Sequence, residues 1–127
     1  MSERTLDQVR KLVLALPEVN ERLSHGAVCF FVRNRRPVCY YHDDHTGDGR
    51  ISLWCPAPPG LQEELVSADP ERFFAPTPSA SGTFSSWVAV YLDGSGEHHV
   101  DWDEVAELLV DAFRMVAPTS LVAELDR

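Results

Sequence analysis

Two apolar runs, Ala27-Val28-Cys29-Phe30-Phe31-Val32 and Val38-Cys39-Tyr40-Tyr41-His42, are joined by only five residues, Arg33-Asn34-Arg35-Arg36-Pro37. Both runs have the β-branched and aromatic content of strands. A parallel pair needs a crossover of roughly a dozen residues or more, so a link this short commits the two strands to an antiparallel hairpin. A third run, Ile51-Ser52-Leu53-Trp54-Cys55, alternates and follows a polar loop at 43–49, and Trp87-Val88-Ala89-Val90-Tyr91-Leu92 reads as a further strand. Alternation means each strand buries one face. Helices must then gather on that one side of the sheet.

The helices are legible from period and caps. Thr5-Leu6-Asp7-Gln8 has a capping-box pattern, and Leu6, Val9, Val13 and Leu16 follow at three- or four-residue spacing until Pro17, which predicts a helix over 5–16. Pro56 to Gly60 break the third strand and open a second helix over roughly 60–68, with Leu61, Leu65 and Val66 inward. Asp69-Pro70 begins a turn that ends in Phe73-Phe74. Residues 75–86 are small and polar and predict a mobile loop or a short irregular strand. Asp101-Trp102-Asp103-Glu104 reads as a capping box whose two acids complement the helix dipole. Val105, Leu108, Leu109, Ala112, Phe113 and Val116 then form an apolar stripe, and Ala117-Pro118 ends it, with one more short helix over 119–126. The order predicts a two-layer α+β fold, with a mainly antiparallel sheet of four or five strands and helices on one face.

Length and composition set the remaining bounds. The 127 residues make one domain, 1–127, enough to bury roughly two thirds of the unfolded surface without staples. No apolar run reaches the roughly 18–20 residues of a membrane span, so no membrane partner is expected. The polar start Met1-Ser2-Glu3-Arg4-Thr5 has no signal-peptide core, and the expected location is the cytoplasm. Cys29, Cys39 and Cys55 are odd in number and form no Cys-x-x-Cys, which fits buried inert thiols better than a disulfide framework or a zinc ribbon.

Charge is segregated along the chain. Residues 1–36 carry seven Lys/Arg and four Asp/Glu, whereas 37–127 carry four Arg and sixteen Asp/Glu, for a total of −9. Such a balance repels nucleic acid on average. It leaves room for a local basic contact, because exposed charges more than about 8 Å apart are largely screened at physiological salt.

Five stretches in register resemble one family. They are Leu14-Ala15-Leu16-Pro17-Glu18-Val19 with Ser24-His25-Gly26; Asp69-Pro70-x-x-Phe73-Phe74-x-Pro76; Trp87-Val88-x-Val90-x-Leu92-Asp93; and Asp101-Trp102-Asp103-Glu104-Val105 with Ala117-Pro118. Together they span nearly the whole chain, and the sequence resembles the MmcQ/YjbR-like family. The resemblance implies a compact α+β fold similar to type III secretion chaperones. It also carries a DNA-binding label that rests on wing-like hairpins. The Pro/Ser-rich 75–86 stretch and Gly94-Ser95-Gly96 depart from the family pattern.

Three constellations are candidates for function. Arg33, Arg35 and Arg36 on the hairpin tip can lie along a phosphate backbone. Three phosphate contacts give a salt slope of about −2.7, from about −0.9 per contact, and such binding to DNA is weak and sequence-blind. His25, Trp54 and Trp87 can line a pocket for a small planar ligand. His42-Asp43-Asp44-His45 and His98-His99 with Asp101 come to one end of the sheet if the third and last strands pair antiparallel, but their spacing matches no metal pattern, so no metal is expected. No nucleophile elbow, P-loop or dinucleotide fingerprint is present. The expectation is a non-enzymatic YjbR-type protein without a cofactor, binding DNA through the hairpin. The alternatives are a protein-interaction or chaperone-like module, as monomer or dimer, and a small-ligand binder.

Overall fold

In the computed structural model the hairpin of 27–42 lies inside a six-stranded sheet of order β1-β2-β3-β4-β6-β5, with every neighbouring pair antiparallel. The structure describes residues 2–24, 26–43, 47, 49–77, 82, 84–93 and 100–126. The strands are β1 (Val19–Ser24), β2 (Ala27–Val32), β3 (Arg36–Asp43), β4 (Ile51–Cys55), β5 (Phe73–Phe74) and β6 (Val88–Tyr91). The helices are α1 (Ser2–Val13), α2 (Leu61–Ala68), α3 (Trp102–Val116) and α4 (Thr119–Leu125). This is the two-layer α+β architecture that the strand connections require.

All four helices feed one apolar cluster on one face of the sheet. Val9 and Val13 of α1, the α3 stripe and Leu121 of α4 meet Phe30 and Val32, Cys39 and Tyr41, Leu53 and Cys55, Val88 and Val90, and Phe73, with Leu61, Leu65 and Val66 of α2 packed against them. These strand residues fall at period two, so the residues between them point the other way. There a second, aromatic cluster forms from Trp54, Trp87 and Ala89 with Tyr40, Phe74 and Phe84. The register aligns one row across all six strands: Arg22, Cys29, Tyr40, Trp54, Ala89 and Phe74 are successive cross-strand neighbours. The pairing of β2 with β3 shifts between Phe30 and Phe31, which leaves Val38 without an opposite residue. That bulge lets Val38 and Cys39, consecutive in sequence, both enter the helix-side core.

Several local expectations change. Helix α1 starts at Ser2 and ends at Val13, so Thr5 lies inside it and caps nothing. Leu16 still reaches the core, through a turn in which its N–H donates to the Val13 carbonyl at 3.1 Å. Strand β1, in a stretch with no expected element, is the sixth strand. Asp101 does cap α3, accepting the Glu104 N–H at 3.2 Å. The Glu104 carboxylate does not reach back; it takes Arg72, which also bonds Asp69 at 3.3 Å and lies over the Phe73 ring. The tie anchors the turn before β5 to the first turn of α3. Trp102 is half-buried against the core, as its place at the start of the stripe requires. In the 75–86 stretch, residues 78–81 and 83 lie outside the described residues; residues 84–86 are turn, with the Ser85 N–H donating to the Gly82 carbonyl and the Trp87 N–H to the Phe84 carbonyl.

Candidate nucleic-acid interface

The hairpin tip is built by two residues with left-handed backbones. Arg33 has φ 51° and Asn34 φ 55°, and the Arg35 N–H donates to the Val32 carbonyl at 3.1 Å. Positive φ at both central positions is the signature of a type I′ turn, whose twist matches that of the flanking strands. Asn tolerates this region well; for Arg it carries a cost of order 1 kcal/mol or more, which the surroundings must offset.

Glu18, in the turn just before β1, and Asn20, within β1, supply the offset. The Arg33 N–H donates to the Glu18 carbonyl at 2.9 Å, and the Arg33 guanidinium meets the Glu18 carboxylate with both prongs, at 3.1 and 3.2 Å. Asn34 is clasped in the same way by Asn20: its N–H donates to Asn20 Oδ1 at 2.8 Å, and Asn20 Nδ2 donates to Asn34 Oδ1 at 3.2 Å. Glu18 and Asn20 therefore fix the shape of the tip. Sequence reasoning missed both, since it gave β1 no structure. The signal was their type: Glu18 and Asn20, one and three residues after Pro17, can answer the Arg and Asn of the turn.

Of the three tip arginines, then, Arg33 is a brace. Glu124 of α4 adds its field to that of Glu18 on this guanidinium. Arg35 and Arg36 are exposed, and among the described residues neither has an acidic partner. The other basic residues of the first third do not join them in one stripe. Arg10 of α1 is held by Glu21 at 2.7 and 2.8 Å and by Asp7 at 3.0 Å, and this bonding lowers the Glu21 pKa. Arg22 lies 3.9 Å over the Phe31 ring on the aromatic face, a cation–π contact.

The pocket expectation meets a filled space. Trp54 and Trp87 do share one cluster, yet each is only 7% exposed. Phe84 sets its ring edge-on to both, at 5.4 and 4.8 Å between centroids. The planar group between the two tryptophans is the chain's own. Gln62 of α2 holds this arrangement by donating to the carbonyls of Trp87 and Ser85. Trp54 Nε1 donates to Ser52 Oγ at 3.1 Å, which satisfies the buried indole. His25 lies outside the described residues.

Strands β4 and β6 pair antiparallel, which brings the ends of loops 43–49 and 93–100 together. His42 packs against Trp54 at 4.2 Å between ring centroids, whereas His45, His98 and His99 lie outside the described residues. Among the described residues no group of three or more His, Cys, Asp or Glu could hold a metal ion. What closes this end is an ion pair. Asp93 accepts from Arg50 at 2.8 and 3.0 Å and from the Ile51 N–H at 2.9 Å. Burial works against the charge, but these bonds outweigh it and hold the Asp93 pKa below its ordinary value.

The three cysteines are free and buried. Burial pushes the Cys29 and Cys55 thiols up to about 12, and Cys39 well up. At neutral pH they hold almost no thiolate, the form that reacts.

A helix-backed antiparallel sheet with an arginine-tipped hairpin defines the class. Its family follows from comparison: a family model described as YjbR matches residues 14–115, and the chain belongs to that family. The crystal structure of Deinococcus radiodurans protein DR2400, with a DUF419 domain, is similar at a TM-score of 0.68 and 24% identity, over 95% of this chain and 87% of that one. At that identity the likeness is one of fold. No curated protein matches the chain. Among the described residues no helix is long and apolar enough to cross a membrane.

Proposed function

We propose that this YjbR domain works by binding rather than by catalysis, and that its partner is the phosphate backbone of duplex DNA, touched by Arg35 and Arg36. The observation that carries the reading is the braced tip. Glu18 and Asn20 hold the turn rigid while Arg35 and Arg36 stay exposed. A pre-shaped ribbon end gives up little conformational freedom on docking. Phosphate oxygens are the natural partners of guanidinium forks. Two contacts set the strength: the salt slope is about −1.8 at about −0.9 per phosphate. The −9 net charge of the chain keeps the affinity low. Such contacts carry no sequence information.

Fluorescence anisotropy with labelled duplexes of unrelated sequence, at low salt, tests this. The expected result is weak binding of equal strength to each duplex, lost steadily as salt is raised. No binding at low salt, or a strong preference for one sequence, removes the reading.

A further inference from the structure

The outer edge of β1 is an open row of backbone donors and acceptors. The Arg33 N–H to Glu18 carbonyl bond makes 18 and 33 a hydrogen-bonded pair, and the same register pairs Asn20 with Phe31, Arg22 with Cys29 and Ser24 with Ala27. Hydrogen-bonded and non-bonded pairs alternate in an antiparallel ladder. Hence Val19, Glu21 and Leu23 turn their N–H and C=O groups away from β2, to the side where, among the described residues, the sheet has no further strand.

This edge has few of the devices that blunt edges. It is six residues long, without proline, and its pairing with β2 runs without a register shift. It also displays Leu23, which is 72% exposed. Strands left this way are templates for another chain.

We infer that β1 pairs antiparallel with β1 of a second copy of this chain, centred on Glu21. Only outward-facing residues can form the bonded pairs, so the allowed registers move in steps. Centring on Glu21 sets Leu23 of each copy opposite Val19 of the other, and Arg22 opposite Asn20. Centring on Arg22 sets two arginines face to face and Leu23 against Glu21. Centring on Asn20 carries Leu23 past the end of the strand to Pro17. The first register alone covers the exposed leucine with an apolar side chain and opposes no bare like charges. The two Glu21 carboxylates meet at its axis, each already neutralised by its own Arg10. The product is one sheet continuous through both copies, held by backbone bonds and two small Leu–Val contacts. So small an interface makes a weak dimer that forms with rising concentration.

Sedimentation equilibrium of the full chain, from micromolar to submillimolar concentration, reads the mass directly. The wild type moves from monomer toward dimer. Leu23→Lys stays monomeric at every concentration, because it puts a charge where Val19 of the other copy must pack. Leu23→Pro also stays monomeric, by removing an outward N–H that the folded monomer does not use. Circular dichroism and thermal midpoints match the wild type for at least one of the two. A wild type that remains monomeric throughout overturns the inference. So does a dimer that both folded variants leave intact. Removing Arg35 and Arg36 leaves the dimer unchanged, so the dimer and the DNA reading stand or fall separately.

Discussion

The two ends of the sheet each seat an arginine on a carboxylate, and they differ in what remains once the pair is made. At the β4–β6 end, Asp93 takes both prongs of Arg50 and a backbone N–H of Ile51, and Arg50 also lies 3.7 Å over the Tyr91 ring. Its charge is spent on closing the fold. At the β2–β3 end, Arg33 takes Glu18 in the same two-pronged way, but the pair is exposed and two more arginines stand beside it. One end uses its cation to finish the structure; the other uses one cation to aim two more. The lesson concerns arginines as such. Residue type does not separate a brace from a contact; the position of the nearest acid does.

Removing Asp93 should break the first end hardest. Asp93→Ala leaves the part-buried Ile51 N–H without its partner, and a group unsatisfied in this way costs up to about 1–3 kcal/mol. A urea midpoint lowered by that amount is expected, and an unchanged midpoint means the pair is decorative. The acid limb of stability should show the same asymmetry. Asp93 and Glu21 both titrate below their ordinary values in the folded protein. Groups lowered in this way stabilise the fold above the unfolded carboxylate range of about 4, and the contribution is lost as pH falls through their folded values. Thermal midpoints followed downward from neutral pH should therefore decline below about pH 4. Asp93→Asn combined with Glu21→Gln should flatten that limb. A limb equally steep in the double variant assigns the acid sensitivity elsewhere.

The second end should respond oppositely. Glu18→Gln removes the charge that occupies Arg33 while leaving the backbone bond between the two residues. Stability should change less than with Asp93→Ala, because exposed ion pairs contribute little. DNA binding should strengthen, with the salt slope steepening by about 0.9 as a third phosphate contact becomes available. A slope that stays put means Arg33 does not reach the partner even when released.

How far these differences were legible in the sequence depended on how local their causes are. The β2–β3 hairpin, strand 51–55, the α2 boundaries and the α3 stripe all follow from patterns of a few residues, and the structure keeps them. Strand β1 escaped because Val19-Asn20-Glu21-Arg22-Leu23-Ser24 has too few apolar residues to alternate visibly. An edge strand has one partner, and that partner supplies what its own pattern lacks. The capping pattern at Thr5 misled for the converse reason: a local motif is outvoted when the helix can extend another turn. The division of labour among Arg33, Arg35 and Arg36 was illegible, since it depends on Glu18, fifteen residues away in the turn before β1. Likewise Trp54 and Trp87 share one cluster, but the ring between them comes from Phe84, in a stretch without periodicity.

The most direct test sets the paired variant Arg35→Ala/Arg36→Ala beside the wild type in the anisotropy titration with duplex DNA at low salt. The expected result is a thermal midpoint equal to that of the wild type and binding reduced at least tenfold, with the salt dependence all but gone. Binding of wild-type strength and slope in that folded variant would contradict it.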